Sequence, residues 1–351
     1  MKRAIIGNMS GLVRSSLSDM KEGAFTRKAS VHRNFIGDSR FPAETGRYIL
    51  AVSYACPWAH RCIIVRALLG LEAVVPMYVT HPTWELTKPK VDEHRGWVFA
   101  PSGQSSILHP SGANQIPIDE WCTPPPVKFA SWTSVRSIYD TSGDVNSTKF
   151  TVPVLFDTKS KTIVNNESSE IIRMLYDPSL LGQFATKNRS LNLRPRELEV
   201  KIDSVNEWIY HQINNGVYKA GFASAQQAYE KAAHELEDGL TRVEAILSQS
   251  RFLVSDQVIT EADIRFFPTL IRHDEVYTVY FKCSHVPVVT PGTRFPNIVR
   301  YMKDMWSFPE VRQSTVMAHI KNHYYTSHSS LNPYGVVPLG PRVISQLEAV
   351  E

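Results

Sequence analysis

The sequence predicts an α/β N-terminal domain followed by an all-α C-terminal domain. Two patterns carry this expectation. Within residues 46–180, short apolar runs alternate with a helix-length apolar segment and then a hairpin, in the order βαβ and ββα. From about residue 195 onward, apolar residues recur at spacings of three and four. A chain of 351 residues suits two domains, and 43% hydrophobic with 21% charged residues describes a soluble globular protein with a sizeable core. The net charge of +4 includes no long Lys/Arg block, so no nucleic-acid partner is expected. No apolar run approaches the roughly 18 residues of a membrane span.

The four segments divide as an arm at 1–45, the α/β domain at 46–180, a helical domain at 195–330 and a tail at 331–351. The arm interleaves aromatic and basic residues around Phe25, Arg27, His32, Arg33 and Phe35, and reads as packed on the body. Residues 1–18 hold Lys2, Arg3 and Arg14 with only a short apolar run, which is no secretory signal, although a mitochondrial presequence stays open. The expected compartment is cytoplasmic. Four cysteines without CxxC or zinc spacing fit reduced thiols there.

The first strand is Tyr48-Ile49-Leu50-Ala51-Val52. The turn Tyr54-Ala55-Cys56-Pro57 follows, and then an apolar helix that closes at Gly70. Proline suits the first helical position because its missing N–H is not needed there. Cys56 therefore sits at or next to the N-cap, where free N–H groups and the helix dipole favour a thiolate. Residues 73–79 supply a second strand, parallel to the first. Residues 81–149 are less regular, and Trp121-Cys122-Thr123-Pro124-Pro125-Pro126 reads as a surface loop. Residues 151–157 and 162–164 form a hairpin. Pro153 fits only the start of a strand, where a cis Val152–Pro153 bond is allowed. The cluster 165–170 then caps a helix with acidic residues in its first turn. Cys-Pro at the first helix and Val-Pro before the hairpin are two pieces of a thioredoxin-like fold.

In the second half, Leu198, Ile202, Val205 and Ile209 share one helical stripe, as do Leu236, Leu240, Val243 and Leu247. Thr260 and Asp263 have capping-box spacing, and Val258 or Ile259 can staple onto Ile264. Residues 295–308 form a further helix, and residues 319–351 are expected as an extended segment.

Cys56 is either a nucleophile or a buried structural thiol. Ala59 stands where a dithiol site would place its second cysteine, so reactive chemistry here would pass through a mixed disulfide resolved by an external thiol. Cys62 reads as structural. Glu167 and Ser168 at a helix start could hold the ammonium and carboxylate of an amino-acid head group, or simply cap the helix. Tyr218, Tyr277 and Tyr324 stand in polar stretches and could bond an oxygenated ligand or serve the core. His319 and His323 have i, i+4 spacing but no evident third ligand, so no metal is expected.

Several strings occur in order: Cys56-Pro57-Trp58-Ala59-His60-Arg61, Gly96-Trp97-Val98-Phe99, Thr151-Val152-Pro153-Val154-Leu155, Asn166-Glu167-Ser168, Asn214-Asn215-Gly216-Val217-Tyr218 and Thr260-Glu261-Ala262-Asp263. Together they resemble the glutathionyl-hydroquinone reductases, the Xi class of glutathione transferases. The resemblance implies a glutathione transferase fold, a homodimer, glutathione as co-substrate and no metal. It implies Cys56 as the nucleophile. Trp97, Val152, Glu167 and Ser168 fall at glutathione-binding positions, beside Pro153, and Lys149 stands near an Arg of some relatives. Tyr218, Tyr277 and Tyr324 fall at the tyrosines lining the hydroquinone pocket. An omega-like thioltransferase or dehydroascorbate reductase is the alternative use of the same thiol. The chain departs from its relatives at His273, where Phe is common, and over residues 111–147, which are longer than in bacterial members.

Overall fold

Tyr48–Val52 (β1) is buried at every position, as expected of a strand with both faces covered. It pairs in parallel with Met77–Val79 (β2), Leu50 facing Met77, and antiparallel with Val154–Asp157 (β3), Leu50 facing Leu155. Thr162–Asn165 (β4) completes the hairpin with β3, so the sheet runs β4-β3-β1-β2. This arrangement comes from a computed structural model, which describes residues 20–349 except 22, 102, 110, 113, 145 and 291. The presequence question at residues 1–18 lies outside the described residues.

The crossover from β1 to β2 is the helix Pro57–Leu68, with Cys56 as its N-cap and Pro57 in its first turn. It ends at Gly70, whose φ of 61° is left-handed, and a Cβ there would collide with Thr186. One side of this helix packs on Ser168–Tyr176 and another on Glu261–Arg272, so it lies between sheet and helical half. That position explains why nearly all of its residues are buried and no apolar stripe stands out.

The helical half contains Glu199–Ile209, Gly216–Phe222, Gln226–Leu247, Glu261–Arg272 and Pro296–Trp306. The expected capping box is present at Thr260 and Asp263, with the Thr260 N–H donating to Asp263 Oδ2 at 2.8 Å. Ile259 is buried and Val258 is exposed, so only Ile259 can serve as the staple. Two π-helical turns interrupt the α-helices, at Tyr210–Asn214 just before the helix of Tyr218 and at His273–Tyr277. Such turns often mark functional sites.

Two expectations need correction. Residues 319–351 are not simply extended: Met317–Ser327 and Val343–Glu348 are helices. The first stays helical because it buries Ile320, Tyr324 and Tyr325 against the body, despite its polar composition. The irregular stretch 81–149 holds short antiparallel ribbons and the helix Val135–Thr141, too short for a periodicity to declare itself.

The arm does pack on the body. The Asn34 N–H donates to the Val164 carbonyl and the Asn166 N–H to the His32 carbonyl, along the edge strand β4. Farther out, Phe25 meets Phe222 with ring centroids 5.5 Å apart. The arm thus bridges the sheet edge and the helical half.

Candidate active site

Cys56 lines one of two adjoining cavities, which share Arg27, Lys28, Trp58, Lys149, Thr151 and Val152 in their walls. The first, about 350 Å³, reaches from Val152 and Pro153 to Asn166, Glu167 and Ser168. The second, about 190 Å³, is walled by Cys56, Trp97, Tyr218, Phe222, His323 and Tyr324.

The first cavity is polar at its far end. Glu167 caps the helix Ser168–Tyr176 with one carboxylate oxygen, which accepts from the Ser169 N–H at 3.1 Å and the Ser169 hydroxyl at 2.9 Å. The other oxygen accepts from the Ser30 hydroxyl of the arm. Burial pushes this carboxyl up, but the Ser169 and Ser30 hydrogen bonds and the nearby Arg61 outweigh it, so Glu167 stays below the ordinary carboxylate value. The Ser168 Oγ accepts from the buried Arg61 guanidinium at 3.3 Å, which leaves the hydroxyl proton free to point at a ligand. Arg61 itself is pulled down to about 9 by burial, and bonds Asn214 and the Arg265 carbonyl.

Val152 precedes a cis Val152–Pro153 bond, and its carbonyl accepts from the Cys56 thiol at 3.4 Å. The expected thiolate is not what the fold favours. Burial pushes the Cys56 thiol up, and the N–H groups of Ala59 and Trp58, with Arg272 and Arg27, only offset part of that. Cys62 is buried and pushed up further, consistent with a structural thiol.

The turn before Cys56 is held by Arg272. Its guanidinium donates to the carbonyls of Tyr54 at 2.8 Å and Ala55 at 3.0 Å, and to His60 Nδ1 at 3.1 Å. His60 is kept neutral by burial and by that guanidinium, and its Nε2 meets the Ser314 hydroxyl. The Cys-Pro-Trp-Ala-His-Arg string is thus one structural unit. Trp58 lies under Arg27 and Arg61, while His60 and Arg61 bind the helical half.

The second cavity gathers rings rather than the polar surroundings that the tyrosine stretches suggest. Trp97 stacks on His323 at 4.4 Å, and Trp84 meets both Trp97 and His328 edge-on. The Tyr218 and Tyr324 hydroxyls are 2.6 Å apart, and Tyr277 reaches Tyr324 at 3.0 Å. Tyr277 is fully buried and is not part of the wall, so it stands behind Tyr324 instead of lining the pocket as expected. Trp97 walls the second cavity and not the first. Sequence reasoning missed Arg27, Trp84, His323 and His328 as wall residues. His323 was paired with His319 by spacing, yet it bonds the Pro82 carbonyl and packs among rings, while His319 turns to Asp119.

A thioredoxin-like sheet, a helical second half and a cysteine beside a cis-proline loop define a protein of the glutathione transferase fold. Residues 55–177 match the glutathione S-transferase N-terminal domain, and residues 226–304 match its C-terminal domain. The chain is 38% identical to glutathione S-transferase omega-like 2 of Schizosaccharomyces pombe, over 92% of this chain and 94% of that one. It is 37% identical to the glutathionyl-hydroquinone reductase YqjG of Escherichia coli, over 91% and 89% of the two chains. The glutathione-bound structure of YqjG superposes with a TM-score of 0.74, at 35% identity over 88% of this chain and 92% of that one. The Xi transferase of Phanerochaete chrysosporium superposes at 0.76, with 39% identity over 93% and 96%. This chain belongs to the Xi class of the glutathione transferases.

Proposed function

We propose that the protein uses glutathione to reduce glutathionyl-hydroquinones to hydroquinones, with Cys56 as the nucleophile. The observation that carries this is that Cys56 lines the ring-walled cavity with Tyr218 and Tyr324 and bonds the carbonyl of Val152, a residue that also walls the polar cavity ending at Glu167 and Ser168. A glutathione moiety on an aromatic ring needs both. The name of the Escherichia coli relative supports the same reading.

In this reading the γ-glutamyl ammonium meets the Glu167 carboxylate. Its carboxylate meets the Ser168 hydroxyl and the N–H groups of that helix start. The backbone of Val152 pairs with the peptide, Lys149 and Trp97 flank it, and the aromatic ring enters among Trp97, Tyr218 and Tyr324. Cys56 then gives up its thiol proton as its sulfur attacks the glutathione sulfur. A sulfur–sulfur bond forms and the sulfur–ring bond breaks. Its electron pair stays on the ring carbon, which takes up one proton in balance and leaves as hydroquinone. A second glutathione thiolate attacks the glutathione sulfur of the mixed disulfide, which releases glutathione disulfide and restores Cys56.

The tyrosines supply directed protons. The Tyr277 and Tyr324 hydroxyls, and those of Tyr324 and Tyr218, are within hydrogen-bond distance, and either member of each pair can donate; in this reading Tyr277 donates to Tyr324 and Tyr324 to Tyr218. The Tyr218 proton is then left for a ring oxygen in the cavity. Burial pushes Tyr218 and Tyr324 up, so both stay phenols, able to hold the ring as its keto form and the oxygen it releases. A homodimer and a cytoplasmic setting belong to the same reading, and the four free cysteines agree with a reducing compartment.

The test is a product assay on glutathionyl-menadiol with wild type and Cys56→Ser, together with intact mass of the wild-type protein. Loss of menadiol release in the variant and one glutathione on wild-type Cys56 are expected. Full activity of Cys56→Ser would refute the nucleophile. Preference for a small mixed disulfide over the thioether would favour the omega-like thioltransferase that the name of the Schizosaccharomyces pombe relative suggests.

A further inference from the structure

We infer that Asp119, Cys122 and His319 form a zinc site, away from the two cavities and independent of the proposed reaction. The three side chains come from separate parts of the chain. Asp119 and Cys122 lie in the loop after the ribbon strand Gln115–Pro117, and His319 is in the first turn of Met317–Ser327. One ligand atom from each lies within 4.8 Å of the others. His319 Nε2 is 2.8 Å from Asp119 Oδ1 and 3.9 Å from Cys122 Sγ.

Zinc bond lengths of about 2.0 Å to nitrogen or oxygen and about 2.3 Å to sulfur set tetrahedral ligand separations of roughly 3.3–3.6 Å. The two separations from His319 straddle that range, each within about half an ångström of it, and all three ligand atoms lie within 4.8 Å of one another. One sulfur, one nitrogen and one oxygen suit a borderline-soft divalent cation and not magnesium or calcium. The fourth position faces out, because Asp119 and Cys122 are only half-buried while His319 is fully buried. Glu120 adds its negative charge at His319.

The loop is held in place without a metal. The Cys122 N–H donates to the Asp119 carbonyl, and the Trp121 N–H to the Asp119 carboxylate. Thr123 is bonded in both directions to Val79 at the sheet edge. The His319 ring lies edge-on to Tyr54, whose ring also meets Trp121 edge-on. This preorganisation is what a site needs to bind without folding the protein first. Zinc binding would displace one proton from Cys122 as the sulfur–zinc bond forms, and would tie the loop to the helix that carries His323 and Tyr324.

The test uses full-length protein carrying Cys56→Ser, so that the active-site thiol takes no metal. Zinc is titrated by calorimetry in two buffers of different ionisation heat, and cobalt(II) is followed by its absorption. One zinc per chain with proton release, a thiolate-to-cobalt charge-transfer band, and a higher melting temperature with zinc are expected. Cys122→Ser should abolish the band and weaken zinc at least tenfold. Asp119→Asn, a conservative change at a half-buried position, should weaken it about tenfold. Absence of one-to-one binding, or a band and affinity that survive Cys122→Ser, would overturn the site.

Discussion

The hydroxyl oxygens of Tyr218 and Tyr324 lie 2.6 Å apart in the wall of the cavity that opens onto Cys56. They come from different helices, Gly216–Phe222 and Met317–Ser327. The ring-oxygen donor therefore depends on how the two ends of the helical half meet. Tyr218→Phe removes the outer donor and should lower kcat on glutathionyl-menadiol by about 10- to 100-fold. Tyr324→Phe should cost a similar amount by leaving Tyr218 unsupported. Tyr277→Phe, one step farther back, should cost only a few-fold. In all three, glutathionylation of Cys56 by glutathione disulfide should stay at the wild-type rate, because that step involves no ring oxygen. A uniform loss in both assays would mean that the tyrosines hold the fold and not the substrate.

Arg272 controls the turn that carries the thiol. Its guanidinium satisfies the carbonyls of Tyr54 and Ala55, both in buried residues. Arg272→Met fills the volume but leaves the Tyr54 and Ala55 carbonyls and His60 Nδ1 without this donor, at about 1–3 kcal/mol each. Urea denaturation should reveal a loss of roughly 3 kcal/mol, with Arg272→Lys intermediate. An unchanged urea midpoint in Arg272→Met would contradict this role.

The pH response of Cys56 follows from its burial. A thiol pushed above its ordinary value of 9.0 is protonated at neutral pH. Alkylation of the free enzyme by iodoacetamide, read at Cys56 by peptide mapping, should be slow at pH 7 and still rising at pH 9. A plateau reached below pH 7 would show a stabilised thiolate and restore the expectation drawn from helix position alone.

That contrast marks where the sequence was legible. The Cys-Pro turn, the Val-Pro hairpin and the Thr260–Asp263 box are local patterns, each built from neighbours in the chain, and each is present in the structure. The sign of the Cys56 shift is not local, because it depends on how completely the helical half covers the thiol. The second cavity was hidden for a related reason. Trp84, Trp97, His323 and His328 meet across more than 200 residues of chain, and no spacing announces them. The helix Met317–Ser327 was missed because its burial is set by residues it packs against and not by its own pattern. Asp119 and Cys122 had no visible partner because His319 lies in that same helix, far along the chain.

Acid stability gives the last prediction. Burial holds His60 and His323 well below the ordinary histidine value of 6.5, and His328 at about 4. Each stays neutral in the fold while the unfolded chain takes up a proton as pH falls through 6.5. The unfolded state then binds more protons, so stability must fall as pH drops. At pH 5 each of these histidines should cost about 2 kcal/mol relative to pH 7.5. Glu167 and Glu261, held below the ordinary carboxylate value of 4.5, lose their contributions only at lower pH and leave this range to the histidines. Urea denaturation at pH 7.5 and pH 5 should therefore differ by several kcal/mol. His60→Asn keeps a polar group beside Arg272 and Ser314 without an imidazole to charge, so it should lower stability at pH 7.5 yet reduce the pH difference by about 2 kcal/mol. A stability that is flat between the two pH values would mean that these rings find a way to charge within the fold, which their enclosure by Arg272 and the surrounding aromatic rings does not permit.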